Sequence, residues 1–194
     1  MKIDIGCGAH KREGFIGIDI APGEQVDYVL NIEQDRLPFE DNSVDHVFSN
    51  HTFEHITVPQ NVLREIVRVC KHGALVEIWT PYLKSNDAFL LGHYSFYNES
   101  IWKHICYEYD GFYFGSTQGR FEMQKYQYTL FPGIYEQLEQ MKIPFMFALD
   151  HMFNIALEFG IFIKVDKTRS DALRPQIPEV YVGYSRNDTL RRVM

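Results

Sequence analysis

Three short runs hold residues whose types and spacing can do chemistry. Asp4-Ile5-Gly6-Cys7-Gly8 is followed by Gly17-Ile18-Asp19-Ile20, and further on by His51-Thr52-Phe53-Glu54-His55. Glycines at the carboxyl end of a strand let a ligand approach the backbone closely, because no Cβ stands in the way. An acid closing the next parallel strand can accept two hydrogen bonds from a ribose diol. Together these two runs describe a nucleoside-type ligand lying across the ends of adjacent strands; an isolated GxG would be only a tight turn. They do not describe a dinucleotide site. Lys11 stands where the third glycine of GxGxxG belongs, and Asp19 follows Gly6 by 13 positions rather than about 20.

The third run matches the inverted zinc-protease signature HxxEH, which needs both histidines on one helical face. Val44–Asn50 reads as a strand ending directly before His51, so that histidine falls in a loop and the pair is not aligned. No metal is expected there, and a zinc hydrolase built on His51, Glu54 and His55 is a third-ranked alternative. An imidazole with a pKa near neutrality suits proton removal from a hydroxyl. His51, His55 and His93 are therefore the candidate bases, and His55 reads equally well as a support for its loop.

These residues need strands to hold them. Lys2–Gly6, Phe15–Ile20, Asp27–Ile32, Val44–Asn50 and Ala74–Pro81 are rich in Ile, Val and aromatics, lack internal proline, and are bounded by turn formers. Between the fourth and fifth, Val62, Leu63, Ile66, Val67 and Cys70 fall at helical spacing, predicting a helix over Pro59–Cys70 with Gly73 as its stop. Strand, helix, strand of this length implies a mainly parallel sheet with right-handed crossovers. About eight residues, Cys7–Gly14, join the first two strands, where a parallel crossover normally takes a dozen or more. Either one helical turn suffices there or that edge is open. Phe89–Phe131 holds 14 of the 29 aromatics. Within and beyond it, Gly115–Gly119 reads as a turn. Arg120–Leu130 reads as a strand with Phe121, Met123, Lys125, Gln127 and Thr129 on one face. Ile134–Ile163 contains helical material, broken near Pro144, and Glu179–Ser185 reads as the last strand.

The 194 residues fit one domain of ordinary size, and a net charge of −7 argues against a nucleic-acid surface. Arg186, Arg191 and Arg192 read as a solvated tail. Cys7, Cys70 and Cys106 form neither a CxxC pair nor a disulfide framework, which suits a reducing cytoplasm. No apolar run approaches the roughly 18 residues of a membrane span, and Met1–Gly6 has no apolar signal core.

The order and spacing of Asp4–Gly8, Gly17–Ile20, Leu37–Val47 and Asn50–Ile56 resemble the class I S-adenosylmethionine-dependent methyltransferases over residues 2–82. The likeness is greatest to a small branch associated with sugar and polysaccharide O-methylation. The resemblance implies a three-layer, Rossmann-like α/β fold with a mixed sheet of about six or seven strands, the last ones antiparallel. It divides a single domain into a cofactor half, 1–82, and an aromatic-rich acceptor half, 83–194. It places Asp4, Gly6, Cys7 and Gly8 around the methionine part of S-adenosylmethionine, Asp19 on the ribose and Ile20 against the adenine. Asn31 and Ile32, or Glu33 if the register slips, would meet the adenine edge. Asn50 and His51 would line the floor beneath the sulfonium, and His93 falls where relatives often carry a histidine. The acceptor would be a small molecule, a sugar or aromatic compound, methylated on oxygen in preference to carbon or nitrogen. The central aromatics would form its wall; core packing or a homodimer face is the other reading of them. A fold that binds cofactor weakly and serves as a partner subunit is the main rival, and a nucleotide-dependent oxidoreductase the least favoured.

Overall fold

The computed structural model describes residues 1–115, 119–168, 178–187 and 190–193. Its first four strands are β1 (Lys2–Ile5), β2 (Ile16–Asp19), β3 (Tyr28–Val29) and β4 (Val44–Asn50). Helix α1 (Pro59–Val69) leads to β5 (Cys70–Pro81). Then come α2 (Glu99–Lys103), running on through a π-helical turn His104–Glu108, and α3 (Asp110–Phe114). The remaining elements are β6 (Arg120–Leu130), α4 (Ile134–Gln140), α5 (Phe145–His151), β7 (Ala156–Asp166), β8 (Glu179–Gly183) and β9 (Arg191–Arg192). The described strands form one nine-stranded sheet in the order β3-β2-β1-β4-β5-β7-β6-β8-β9. This is a Rossmann-like α/β fold in a single domain, with a mainly parallel sheet of nine strands among the described residues where six or seven were expected.

Several expectations change in detail. Only β7 and β9 run antiparallel to their neighbours, and β8 pairs parallel with β6. The arginine tail is not simply solvated: Arg191 and Arg192 pair with Val182 and Tyr181 at the sheet edge. Helix α1 stops at Val69, and Gly73, with φ +79°, lies inside β5. There the register with β4 shifts, so the glycine serves a bulge and not a helix stop. The helical material expected within Ile134–Ile163 is α4 and α5, broken at Pro144, and it ends at His151, because the β-branched and aromatic residues after Ala156 pair with β5 and β6. In β6 a bulge between Met123 and Lys125 flips the alternation. Phe121 and Met123 face the core, and then Tyr126, Tyr128 and Leu130 do. The predicted turn Gly115–Gly119 lies partly outside the described residues.

Helices α1 to α5 all contribute to one apolar cluster on one sheet face, with Ile3, Ile5, Val47, Val76, Ile78, Ile161 and Ile163. Between β1 and β2 no helix forms among the described residues. The loop closes instead on two turns, His10 N–H to Cys7 O at 3.0 Å and Phe15 N–H to Arg12 O at 3.1 Å. The second face therefore carries no helix among the described residues, and its side chains are of a different kind. Phe48, Glu77, Phe162 and Lys125 follow one another across neighbouring strands. Arg12 lies 4.5 Å from the Phe48 ring centroid, Lys125 lies 3.9 Å from Phe162, and Arg186 lies 4.4 Å from Trp79. Cations on aromatic faces take the place of a helix layer.

At the centre of that face the Arg12 guanidinium and the Trp79 indole N–H donate to Glu77 at 2.7 and 2.8 Å. His46 Nε2 stands 3.7 Å away. Burial alone would raise the Glu77 carboxyl, but His46, Trp79 and Arg12 outweigh it and hold its pKa at about 2. A depressed carboxyl contributes stability above its unfolded pKa and loses it as pH falls through the folded value. Glu77→Gln is expected to cost about 1–2 kcal/mol near neutral pH, discounted for the partly exposed Arg12. Urea unfolding from about pH 5 down to about pH 2 should show a shallower loss in the variant than in the wild type. Equal slopes would remove this account.

Candidate functional site

The parallel strands β1, β2, β3 and β4 all point their carboxyl ends at one cleft of about 280 Å³. Of the residues singled out in the sequence, Gly6, Asp19, Ile20, Asn31, Ile32, His51 and His55 line it together. Gly6 takes φ +72°, and an added Cβ there would fall 1.9 Å from Thr52 Oγ1. Thr52, Ile56, Leu30 and Glu33 complete the wall.

The Asp19 carboxylate is already oriented. Oδ2 accepts the Gly8 N–H at 2.8 Å and Oδ1 the Ala21 N–H at 3.0 Å. Gly8 thus joins the site through its backbone without lining the cleft. Asp4 is buried, its Oδ2 accepting the Arg12 N–H at 2.7 Å. Burial raises its pKa above the ordinary value against the opposing Arg12 contacts. Asp4 Oδ1 and Asn50 Oδ1 are buried acceptors with no hydrogen-bond partner among the described residues. Cys7 does not line the cleft. Its thiol packs toward Gln25 O at 3.8 Å, and burial pushes its pKa up to about 11.

Asn31 and Ile32 line the cleft just after β3. The Glu33 carboxylate, weighed as a register alternative, accepts the N–H groups of Thr57 and Val58 at 2.6 and 2.8 Å. It caps the approach to α1, and those bonds overcome burial to lower its pKa.

His51 sits directly after β4 in a left-handed conformation, φ +51°, which is strained for a non-glycine residue. Both ring nitrogens are engaged: Nε2 with Glu158 at 2.7 Å and Nδ1 with Glu54 at 3.1 Å. Glu158 first, then Glu54, raise its pKa to about 9. Arg186 braces Glu158 from the far side, with Nη2 2.5 Å from Oε1. Glu158 and Arg186 carried no local signal, since neither lies in a motif: β7 brings Glu158 in from 107 positions away, and Arg186 follows β8. HxxEH does not assemble as a helical pair. Phe53–His55 is a single 3-10 turn, and His51 turns to carboxylates instead. His93 does not line the cleft, but its ring meets His55 edge-on at 4.8 Å between centroids.

The central aromatics divide. Tyr97, Trp102, Phe114, Tyr126 and Tyr128 are core, whereas Phe89, Tyr94 and Phe153 are exposed, with Phe89 stacked on Phe153 at 6.0 Å.

Residues 3–78 match a family described as a methyltransferase domain. No curated protein matches the sequence significantly. Among solved structures, an S-adenosylmethionine-dependent methyltransferase of Archaeoglobus fulgidus is similar at 18% identity, over 84% of this chain and 85% of that one, with a TM-score of 0.56. The YcgJ protein of Bacillus subtilis is similar at 16% identity, over 86% and 91% of the two chains, with a TM-score of 0.52. The [4+2]-cyclase SpnF is similar at 15% identity over 84% and 73%, TM-score 0.54, so the fold alone does not fix a reaction. Residues 3–78 thus resemble a methyltransferase domain, and the chain shares the fold of a solved S-adenosylmethionine-dependent methyltransferase. No helix among the described residues is long and apolar enough to cross a membrane.

Proposed function

We propose that the protein transfers a methyl group from S-adenosylmethionine to an oxygen of a small acceptor, a sugar-containing or aromatic compound, in the cytoplasm. The observation that carries the binding half is the cleft itself: a glycine wall at Gly6 and an oriented Asp19 carboxylate at the ends of parallel strands. The orphaned acceptors Asp4 Oδ1 and Asn50 Oδ1 fit an α-ammonium or similar donor, because a buried acceptor without a partner is costly. Exposed Ile20, with Ile32 and Ile56, supplies an apolar clamp suited to a purine. The cofactor brings an activated methyl group on a sulfonium; the chain's own residues bind, orient and receive the acceptor's proton.

His51 is a positioning residue in this reading, not the base for which it was a candidate, because neither ring nitrogen is open to an acceptor. The acceptor side is the His55–His93 end. Leu90, Leu91 and Tyr94 are exposed beside it, and that segment is tied to the cleft by His55 Nδ1–H to Gly92 O at 2.9 Å. An apolar rim next to imidazoles suits a flat hydroxylated molecule. These placements support a division into a cofactor half, 1–82, and an acceptor half, 83–194. Three buried, unpaired cysteines favour a reducing compartment.

Calorimetric titration with S-adenosylmethionine and S-adenosylhomocysteine should give one saturable site. A panel of sugars and phenols should then release S-adenosylhomocysteine only with hydroxylated members. Release with amine acceptors alone would overturn the oxygen assignment, and absence of binding would overturn the whole reading.

A further inference from the structure

The 3-10 turn Phe53–His55 and the segment Gly92–Ser95 are laced together by backbone bonds. Glu54 O accepts the N–H groups of Tyr94 at 2.7 Å and Ser95 at 3.1 Å. Ser95 Oγ donates to Ile56 O at 2.7 Å. This lacing brings Glu54, His55 and His93 together with one donor atom of each within 4.8 Å of the others.

Each of the three presents an unused lone pair. Glu54 is 2% exposed; its Oε1 meets His51, while Oε2 is buried with no hydrogen-bond partner among the described residues. His55 donates from Nδ1 to Gly92 O, which in the neutral imidazole leaves Nε2 as an acceptor. That backbone bond is the support that fixes the tautomer of metal-binding histidines. His93 Nδ1 is likewise buried without a partner. The buried Glu54 Oε2 and His93 Nδ1, both without a hydrogen-bond partner among the described residues, are costly unless a cation fills the gap beside the exposed His55.

We propose that Glu54, His55 and His93 bind one divalent first-row transition-metal ion at the acceptor side of the cleft. Two imidazoles and one carboxylate suit zinc and its neighbours rather than magnesium or calcium, and three protein ligands leave a coordination position open. His55 lines the cleft, so the open position lies toward it. An ion there lowers the pKa of a hydroxyl bound to it; this last step alone rests on the methyl-transfer reading. The site departs from the expectation of no metal, which had weighed His51 and His55 as the paired ligands with Glu54 as base. His51 is engaged by Glu158, and His93 takes its place.

The test uses the full chain, stripped with a chelator and titrated with zinc chloride without S-adenosylmethionine. Its outcome is thus independent of cofactor binding. One equivalent of zinc should bind, and magnesium should not compete. His55→Ala and His93→Ala should each weaken binding by at least about tenfold. His10→Ala, at an exposed histidine of the β1–β2 loop, should bind as the wild type does. Cobalt(II) in place of zinc should give visible d–d absorption that His93→Ala loses. Thermal melting without metal checks that each variant folds; His93→Gln replaces any alanine variant that does not. No saturable zinc uptake by the wild type, or uptake unchanged in both histidine variants, overturns the site.

Discussion

Asp19→Ala is expected to weaken S-adenosylmethionine binding by about a hundredfold, near 2.7 kcal/mol. A hydrogen bond to a charged group contributes about 1.5–3 kcal/mol, and a carboxylate has roughly four lone-pair sites. Two of them are spent on Gly8 and Ala21, which fixes the rotamer and leaves the others for the ribose diol. Removing the side chain deletes those acceptors and also releases the Gly8 loop. Asp19→Asn keeps one oxygen and the shape, so it should fall between wild type and Asp19→Ala. Calorimetry with S-adenosylhomocysteine checks the order. If Asp19→Ala binds as tightly as the wild type, the cofactor does not lie in this cleft.

Gly6→Ala should be the most damaging small substitution in the site. Its Cβ would meet Thr52 at 1.9 Å from Oγ1, 2.5 Å from Cγ2 and 2.7 Å from Cβ. Thr52 has little room to withdraw, because its hydroxyl sits among the carbonyls of Ile5, Gly6 and Asn50 at 3.3, 3.4 and 3.3 Å. Left-handed backbone adds a penalty for any side chain. Overpacking and backbone strain together should cost about 2–4 kcal/mol of stability, with cofactor binding lost in parallel. Thr52→Gly in the same chain should return the packing share and leave the backbone share, a coupling that a double-mutant cycle measures. A Gly6→Ala protein that melts and binds like the wild type would show that no close approach is needed here.

The readings that held rest on neighbours in the chain. The alternation of Val44–Asn50, the helical spacing of Val62, Leu63, Ile66 and Val67, and the step from Gly6 to Asp19 are all local patterns. Each strand's carboxyl end is fixed once its direction in a parallel sheet is known, so Gly6, Asp19, Asn31 and His51 had to converge. Readings failed where a residue's partner is remote. The bulge in β6 inverts the faces of Lys125, Gln127 and Thr129, because pairing with β7 admits an extra residue that a period-two pattern cannot foresee. The short Cys7–Gly14 loop was visible, but not what it exposes: a second sheet face closed by Arg12, Lys125 and Arg186 over aromatic rings.

Strand directions, the Gly6 turn and the Asp19 carboxylate at the cleft were written into consecutive residues, since dihedral preference and side-chain period act over a few positions. The state of each histidine was not. His51 is held by Glu158 from β7, and His55 faces His93 across a loop closed by backbone bonds. Proton and ligand availability depends on which atoms lie within about 3–4 Å in space, and only the assembled sheet and its loops set those distances.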